Sequence, residues 1–224
     1  RLIAAGYTNS QALSLFGIAT GMTIPILFIP ITLIGSLSTA LIPDISSAVA
    51  QNNSTHINNR ISSSITFTLF ITMFMIPIFI GAGENMGLFF FSNEISGALL
   101  SSAAWIILPL ALTNITSTVL NALGLELKSL MNYIIGSVFL FVGLWFLPKF
   151  IGINSLIISM GVCVTITTLL NIWMIKRYTK VKLGLTRPLV LMFLFSLPTA
   201  SLTFFATNLL DGILPLFFNL AVSC

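Results

Sequence analysis

Charged residues divide the chain into uncharged stretches at 2–43, 61–83, 95–125, 129–148, 150–175 and 188–210, and a shorter one at 212–224 closes it. Each of the first six is long enough to cross a hydrocarbon core of about 30 Å, which takes roughly 20 helical residues. Their apolar residues run on without alternation. That excludes the strands of a membrane barrel and leaves helices, which satisfy their backbone polar groups internally. The pattern predicts an all-α integral membrane protein with six transmembrane helices plus a partial seventh. It reads as a single membrane domain over 1–224.

Composition strengthens this reading. Of the 224 residues 57% are hydrophobic and 6% charged, and the mean hydropathy is +1.08. Soluble domains carry about 25% charged residues, so lipid is the expected solvent. The first residue is Arg1, no signal peptide is visible, and the chain reads as one entered mid-protein. Cys163 and Cys224 supply no disulfide or metal framework, and Cys163 reads as a small core residue.

Charge then orients the spans. Connections around Arg1, 83–97, 148–154 and Asp211 fall on one side, and those at 44–60, 124–128 and 176–187 on the other. The first group holds Arg1 and Lys149. The second holds Arg60, Lys128, Lys176, Arg177, Lys180, Lys182 and Arg187, which completes the nine Lys and Arg. The positive-inside rule puts the second group in the cytoplasm. "KRYTKVKLGLTR" (176–187) is a topology anchor on this reading, with contact to anionic lipid as the alternative. Nothing in the net charge of +4 points to nucleic acid. "MGLFFF" (86–91), between Glu84 and Glu94, reads either as a helix lying at the outer headgroup level or as a packed re-entry. His56 has no Cys, Glu or second His near it, so no metal site is expected, and no cofactor. The sequons at Asn52 and Asn53 face the cytoplasm and are not expected to be glycosylated.

No charge lies mid-span. Asp44 and Asp211 sit at expected helix ends, and Glu126 is close in sequence to Lys128. What remains is a neutral polar pattern. Asn114, Ser117, Thr118 and Asn121 stand at i, i+3, i+4 and i+7, on one helix face. Such a stripe either lines a wet substrate cavity or hydrogen-bonds a neighbouring helix. Thr165, Thr168 and Asn171 form a weaker stripe, for which packing is the expectation.

The opening helix, read from about Leu13, is longer than one crossing needs and should tilt, bend or project. Pro25 and Pro30 each remove an intrahelical hydrogen bond, and with Pro43 they are hinge candidates. Thr32, Gly35, Ser36 and Thr39 make a small-residue face suited to close helix approach.

"TGMTIPILFIPITLIGSLSTALIPDISSAVA" (20–50) resembles the "tGm-lPllflP-vl-galatalvPaiSea" helix of the stage V sporulation protein B and polysaccharide-biosynthesis family. "ILPLALTNITSTVLNALGLELKSLMNYIIGSVFLFVGLWFLPKF" (107–150) resembles that family's "lQGlGk" turn and the helix after it. The family belongs to the superfamily of multidrug and toxin extruders and lipid-linked oligosaccharide flippases. The resemblance runs over nearly the whole chain. It implies the second lobe of a MATE-like fold at about 1–176, with additional C-terminal helices at about 187–224. The first lobe would be a partner supplied by the same protein. By this comparison the opening helix is a bent gating element on the central cavity, leaving it on the cytoplasmic side at Pro43 and Asp44. One departure is that no Lys or Arg lies between Arg1 and Arg60. The peptidoglycan lipid II flippase branch has an arginine on that helix, so its absence leaves the sporulation and polysaccharide branches.

The implied activity is not enzymatic. It is movement of a lipid-linked saccharide, a cell-wall, polysaccharide or spore-cortex precursor, across the bacterial cytoplasmic membrane by alternating access. Besides that substrate, membrane lipids are the expected partners. No G-x-x-x-x-G-K-S/T phosphate loop is present. The competing expectations are an ion-coupled drug or small-molecule antiporter, which would need a buried carboxylate, and an inactive membrane fragment.

Overall fold

A computed structural model describes residues 2–179 and Ser201. The described residues form helices and turns, with no strand among them. Five helices are long and apolar enough to cross a membrane: α1 (Asn9–Ala50), α2 (Ser54–Phe91), α3 (Glu94–Ala122), α4 (Glu126–Phe146) and α5 (Asn154–Thr179). They fall on the first five uncharged stretches. The expected sixth span at 188–210, apart from Ser201, the partial seventh and most of the basic loop lie outside the described residues. Five such helices fit a membrane-embedded chain.

Local sequence sets the helix ends. Thr8 and Gln11 close a capping box at the start of α1, where each side chain serves the other's backbone N–H. At α2 and α3 the capping side chains are Asn53, which accepts from the His56 N–H, and Asn93, which accepts from the Ser96 N–H. α2 ends on Ser92 in the left-handed region, and Gly124, at φ +74°, turns the chain from α3 into α4.

α1 begins at Asn9, a turn before the Leu13 expected from sequence, and has 42 residues. At 1.5 Å per residue that is about 63 Å, roughly twice a hydrocarbon core. Its ladder changes register once, in a π turn at Ala19–Thr23 where the Ile24 N–H reaches the Ala19 carbonyl. Pro25 follows directly, so its missing N–H falls where the regular ladder is already shifted. Pro30 and Pro43 lie inside the α-helical stretch Ile24–Ala50. Pro43 and Asp44 therefore do not end the helix. Asp44 instead meets Arg60 Nε at 2.7 Å and His56 Nε2 at 3.0 Å, clipping α1 to the start of α2.

Nor does the aromatic stretch "MGLFFF" lie as a separate surface helix or a re-entry. It forms the last turns of the 38-residue α2. The cause is a glycine contact. A Cβ on Gly97 would stand 2.6 Å from Glu84 Cα and 2.9 Å from the Gly83 carbonyl, so α3 can lie backbone-to-backbone along the end of α2. That contact holds residues 83–91 helical and leaves Leu88, Phe89 and Phe90 exposed on the outer side.

α3 is the centre of the bundle and packs against α1, α2 and α5, whereas α4 packs chiefly on α5. Ile107, Ala111, Ile115, Val119 and Leu120 of α3 are fully buried. α1 covers them with Leu27, Ile31, Ile34, Leu41 and Ile45. The small-residue face expected to pack, Thr32, Gly35, Ser36 and Thr39, is not the buried one. Its three hydroxyls donate to carbonyls of their own helix, and a Cβ on Gly35 would meet nothing within 4 Å. The close approach comes elsewhere. Gly136 of α4 sits against the Cys163 carbonyl and Thr167 of α5, and the Trp105 ring fills the space beside Gly161. Cys163 is a buried free thiol at that contact, in keeping with a core role.

Candidate functional site

The polar face of α3 divides into two parts with different surroundings. Its middle is tied to neighbouring helices. Asn114 Oδ1 accepts from Ser38 Oγ of α1 at 3.0 Å, and Ser117 Oγ accepts from Asn171 Nδ2 of α5 at 3.0 Å. Thr118 donates to the Asn114 carbonyl of its own helix. Asn121, one turn further on, is exposed.

Two residues that the spacing argument passed over carry most of the tie to α5. Thr113 Oγ1 lies 2.6 Å from Thr168 Oγ1 and donates to the Val164 carbonyl, while Thr168 reaches the Pro109 carbonyl. Thr116 Oγ1 accepts from Asn171 Nδ2 at 3.2 Å, and Asn171 Oδ1 accepts from Asn132 Nδ2 of α4 at 2.9 Å. Thr113, Thr116, Asn132, Thr168 and Asn171 are all buried. Packing was the expectation for Thr168 and Asn171, and they pack. Thr165 donates back to Gly161 of its own helix. A sequence reader could have found Thr113 and Thr116 as i, i+3 partners on the face adjoining the chosen stripe.

The end of the stripe opens into a groove of about 380 Å³ between α3 and α4. Ser117 and Asn121 line one wall, and Glu126, Ser129 and Tyr133 line the other. This groove lies at the end of the bundle where Arg60, Lys128, Lys176 and Arg177 gather. Glu126 makes no ion pair among the described residues, since Lys128 turns away to stand 4.0 Å over the Tyr178 ring. The groove therefore offers hydroxyls, an amide, a phenol and a carboxylate, a set suited to a polyhydroxyl or cationic group. Glu126, Ser129 and Tyr133 were missed as site residues, although their i, i+3, i+7 spacing puts them on one face of α4.

Larger crevices lie at the opposite end. One of about 550 Å³ is bounded by Leu13, Phe16, Leu144, Pro148 and Leu156. Its walls are almost wholly apolar. Another, of about 700 Å³, is bounded by Tyr7, Ser10, Gln11 and Ser14 and is as open as the α3–α4 groove. The first gathers few polar groups, and the second brings together a phenol, two hydroxyls and an amide but lacks the charged group that Glu126 adds to the α3–α4 groove. Among the described residues no cluster of His, Cys, Asp and Glu is arranged to hold a metal.

No family model matches the chain, and neither a curated protein nor a solved structure does.

Proposed function

We propose that the chain is part of a flippase of the bacterial cytoplasmic membrane that moves a lipid-linked sugar precursor by alternating access. The observation that carries this reading is the divided polar face of α3. Its inner half cements helices, and its outer half, Asn121 with Glu126, Ser129 and Tyr133, lines a groove in which hydroxyls and an amide are joined by a carboxylate. Hydroxyls, an amide and a carboxylate are the groups that bind sugar hydroxyls, and the apolar faces around them suit a lipid carrier. The sequence likeness to the sporulation and polysaccharide family supports the same reading and makes the unpacked face of α1, at Thr32, Gly35, Ser36 and Thr39, the place for a further lobe. On this reading Pro25, Pro30 and Pro43, with the π turn before them, serve the gating movement of α1.

A MATE-type antiporter is the second reading, favoured by the carboxylate of Glu126, which has no ion-pair partner among the described residues and suits a cationic drug. Reconstitution of the full-length protein in vesicles separates the two. Flipping of a fluorescent polyprenyl-diphosphate disaccharide without ion-driven ethidium uptake supports the flippase. Ethidium uptake without flipping overturns it.

A further inference from the structure

At the basic end of the bundle three chain segments meet around a second cavity, of about 290 Å³, separate from the α3–α4 groove. The α1–α2 turn contributes Asn52, the start of α2 Ser54, the α3–α4 turn Leu123 and Leu125, and the last turn of α5 Tyr178. Leu123 and Leu125, with Ile57, make a floor that is apolar except for the buried Oδ1 of Asn58, while Asn52, Ser54 and Tyr178 make a polar rim. The side chains of these three rim residues have no hydrogen-bond partner among the described residues. Beside them Lys128 Nζ is held 4.0 Å over the Tyr178 ring, and it makes no ion pair among the described residues. A cation–π contact fixes the ammonium without neutralising it. Arg177 stands likewise, 5.4 Å over Trp173 on the same last turns of α5. The acidic group nearest in sequence, Glu126, lines the other groove.

A largely apolar floor with one amide acceptor, a hydroxyl- and amide-bearing rim and a cation with no ion-pair partner among the described residues match one chemistry. It is a phosphate carrying a small polyol, with an apolar remainder toward the floor. We propose that this cavity binds the phosphoglycerol headgroup of an anionic lipid of the cytoplasmic leaflet, with Lys128 taking the phosphate and Asn52, Ser54 and Tyr178 the glycerol hydroxyls. Basic pockets between helices on that side of a membrane are where such headgroups bind. Phosphate from a soluble glycerol phosphate presents the same groups, and the experiment tells the two sources apart. The proposal rests on the membrane placement and orientation argued above, not on what the transporter carries.

The test is native mass spectrometry of the full-length protein, released from nanodiscs with equal phosphatidylglycerol and phosphatidylcholine. Phosphatidylglycerol should be retained preferentially, and Lys128→Gln should cut that preference about fivefold, the effect of one basic residue at a membrane surface. Ile57→Trp, which fills the cavity, should lower retention as well. Lys149→Gln, which removes an exposed cation at the opposite end, should change nothing. Displacement of the lipid by millimolar glycerol 3-phosphate would overturn the lipid as occupant and assign the cavity to the soluble compound. An unchanged preference in a well-folded Lys128→Gln protein would overturn the site. Recovery of the chain in the soluble fraction would overturn the membrane placement, and the site with it.

Discussion

Asn132 donates its side-chain amide to Asn171 Oδ1 across 2.9 Å, and both residues are buried between α4 and α5. Asn171 passes the connection on to Thr116 and Ser117 of α3, so one amide joins three helices. In lipid, helices are not driven together by the hydrophobic effect, and such bonds are worth about 0.6 kcal/mol each on average. Leaving the partners buried and unpaired adds a penalty of about 1–3 kcal/mol. Asn171→Leu should therefore lower stability by about 2 kcal/mol, seen as an earlier thermal transition in detergent. An unchanged transition would show that the amide holds nothing together.

The contact between α2 and α3 depends on glycine in a different way. A side chain at Gly97 would strike backbone atoms of Gly83 and Glu84, which cannot rotate away. Gly97→Val should destabilise by about 1–3 kcal/mol, the usual cost of overpacking. Gly35, whose surroundings within this chain are open, gives the contrast. Gly35→Ala should be neutral or stabilise by up to about 1 kcal/mol through helix propensity. Equal effects at the two positions would contradict the packing described.

The five long helices were legible because each uncharged stretch is bounded by charge, and lipid tolerates little else. Helix faces were less legible. Period alone made Thr32, Gly35, Ser36 and Thr39 look like a contact, yet the true contacts use Gly83, Gly97, Gly136 and Gly161. Which small residue meets a neighbour depends on how helices cross, and a single helix does not encode that. Asp44 looked like a helix terminus for a similar reason, because Pro43 before it suggests a break. The aspartate is instead held by Arg60 and His56 across the turn. The polar stripe was visible as a face. Its division into a packed half and an open half was not, since it turns on the partners Ser38 and Asn171 at distant positions in the chain.

The prolines of α1 lead to a kinetic expectation. An interior proline costs a helix about 3 kcal/mol relative to alanine. Replacing Pro25 and Pro30 together by Ala should leave a folded, membrane-inserted protein that cycles poorly, because a stiffer α1 biases it toward one facing state. A bias of about 1.4 kcal/mol already changes the two populations tenfold. Paired cysteine probes at the two mouths of the proposed transporter would report the facing state. Unchanged accessibility with full complementation of a flippase-deficient strain would remove the prolines from the mechanism.

Orientation follows from the charge asymmetry of the turns. On a background without Cys163 and Cys224, a cysteine at Glu84 should be labelled by an impermeant thiol reagent applied to intact cells. One at Arg177 should be labelled only after lysis. The reverse pattern would invert the chain and move the polar groove to the outer face.

The central claim is that the α3 polar face serves packing at Asn114 and Ser117 and substrate at Asn121. The most direct measurement is the flipping rate of a fluorescent polyprenyl-diphosphate disaccharide by the full-length protein carrying Asn121→Leu, with thermal stability recorded on the same sample. The account expects the rate to fall at least about tenfold, equivalent to about 1.4 kcal/mol of barrier, with stability unchanged because Asn121 is exposed. Normal flipping, or a loss of rate matched by a loss of stability, would contradict it.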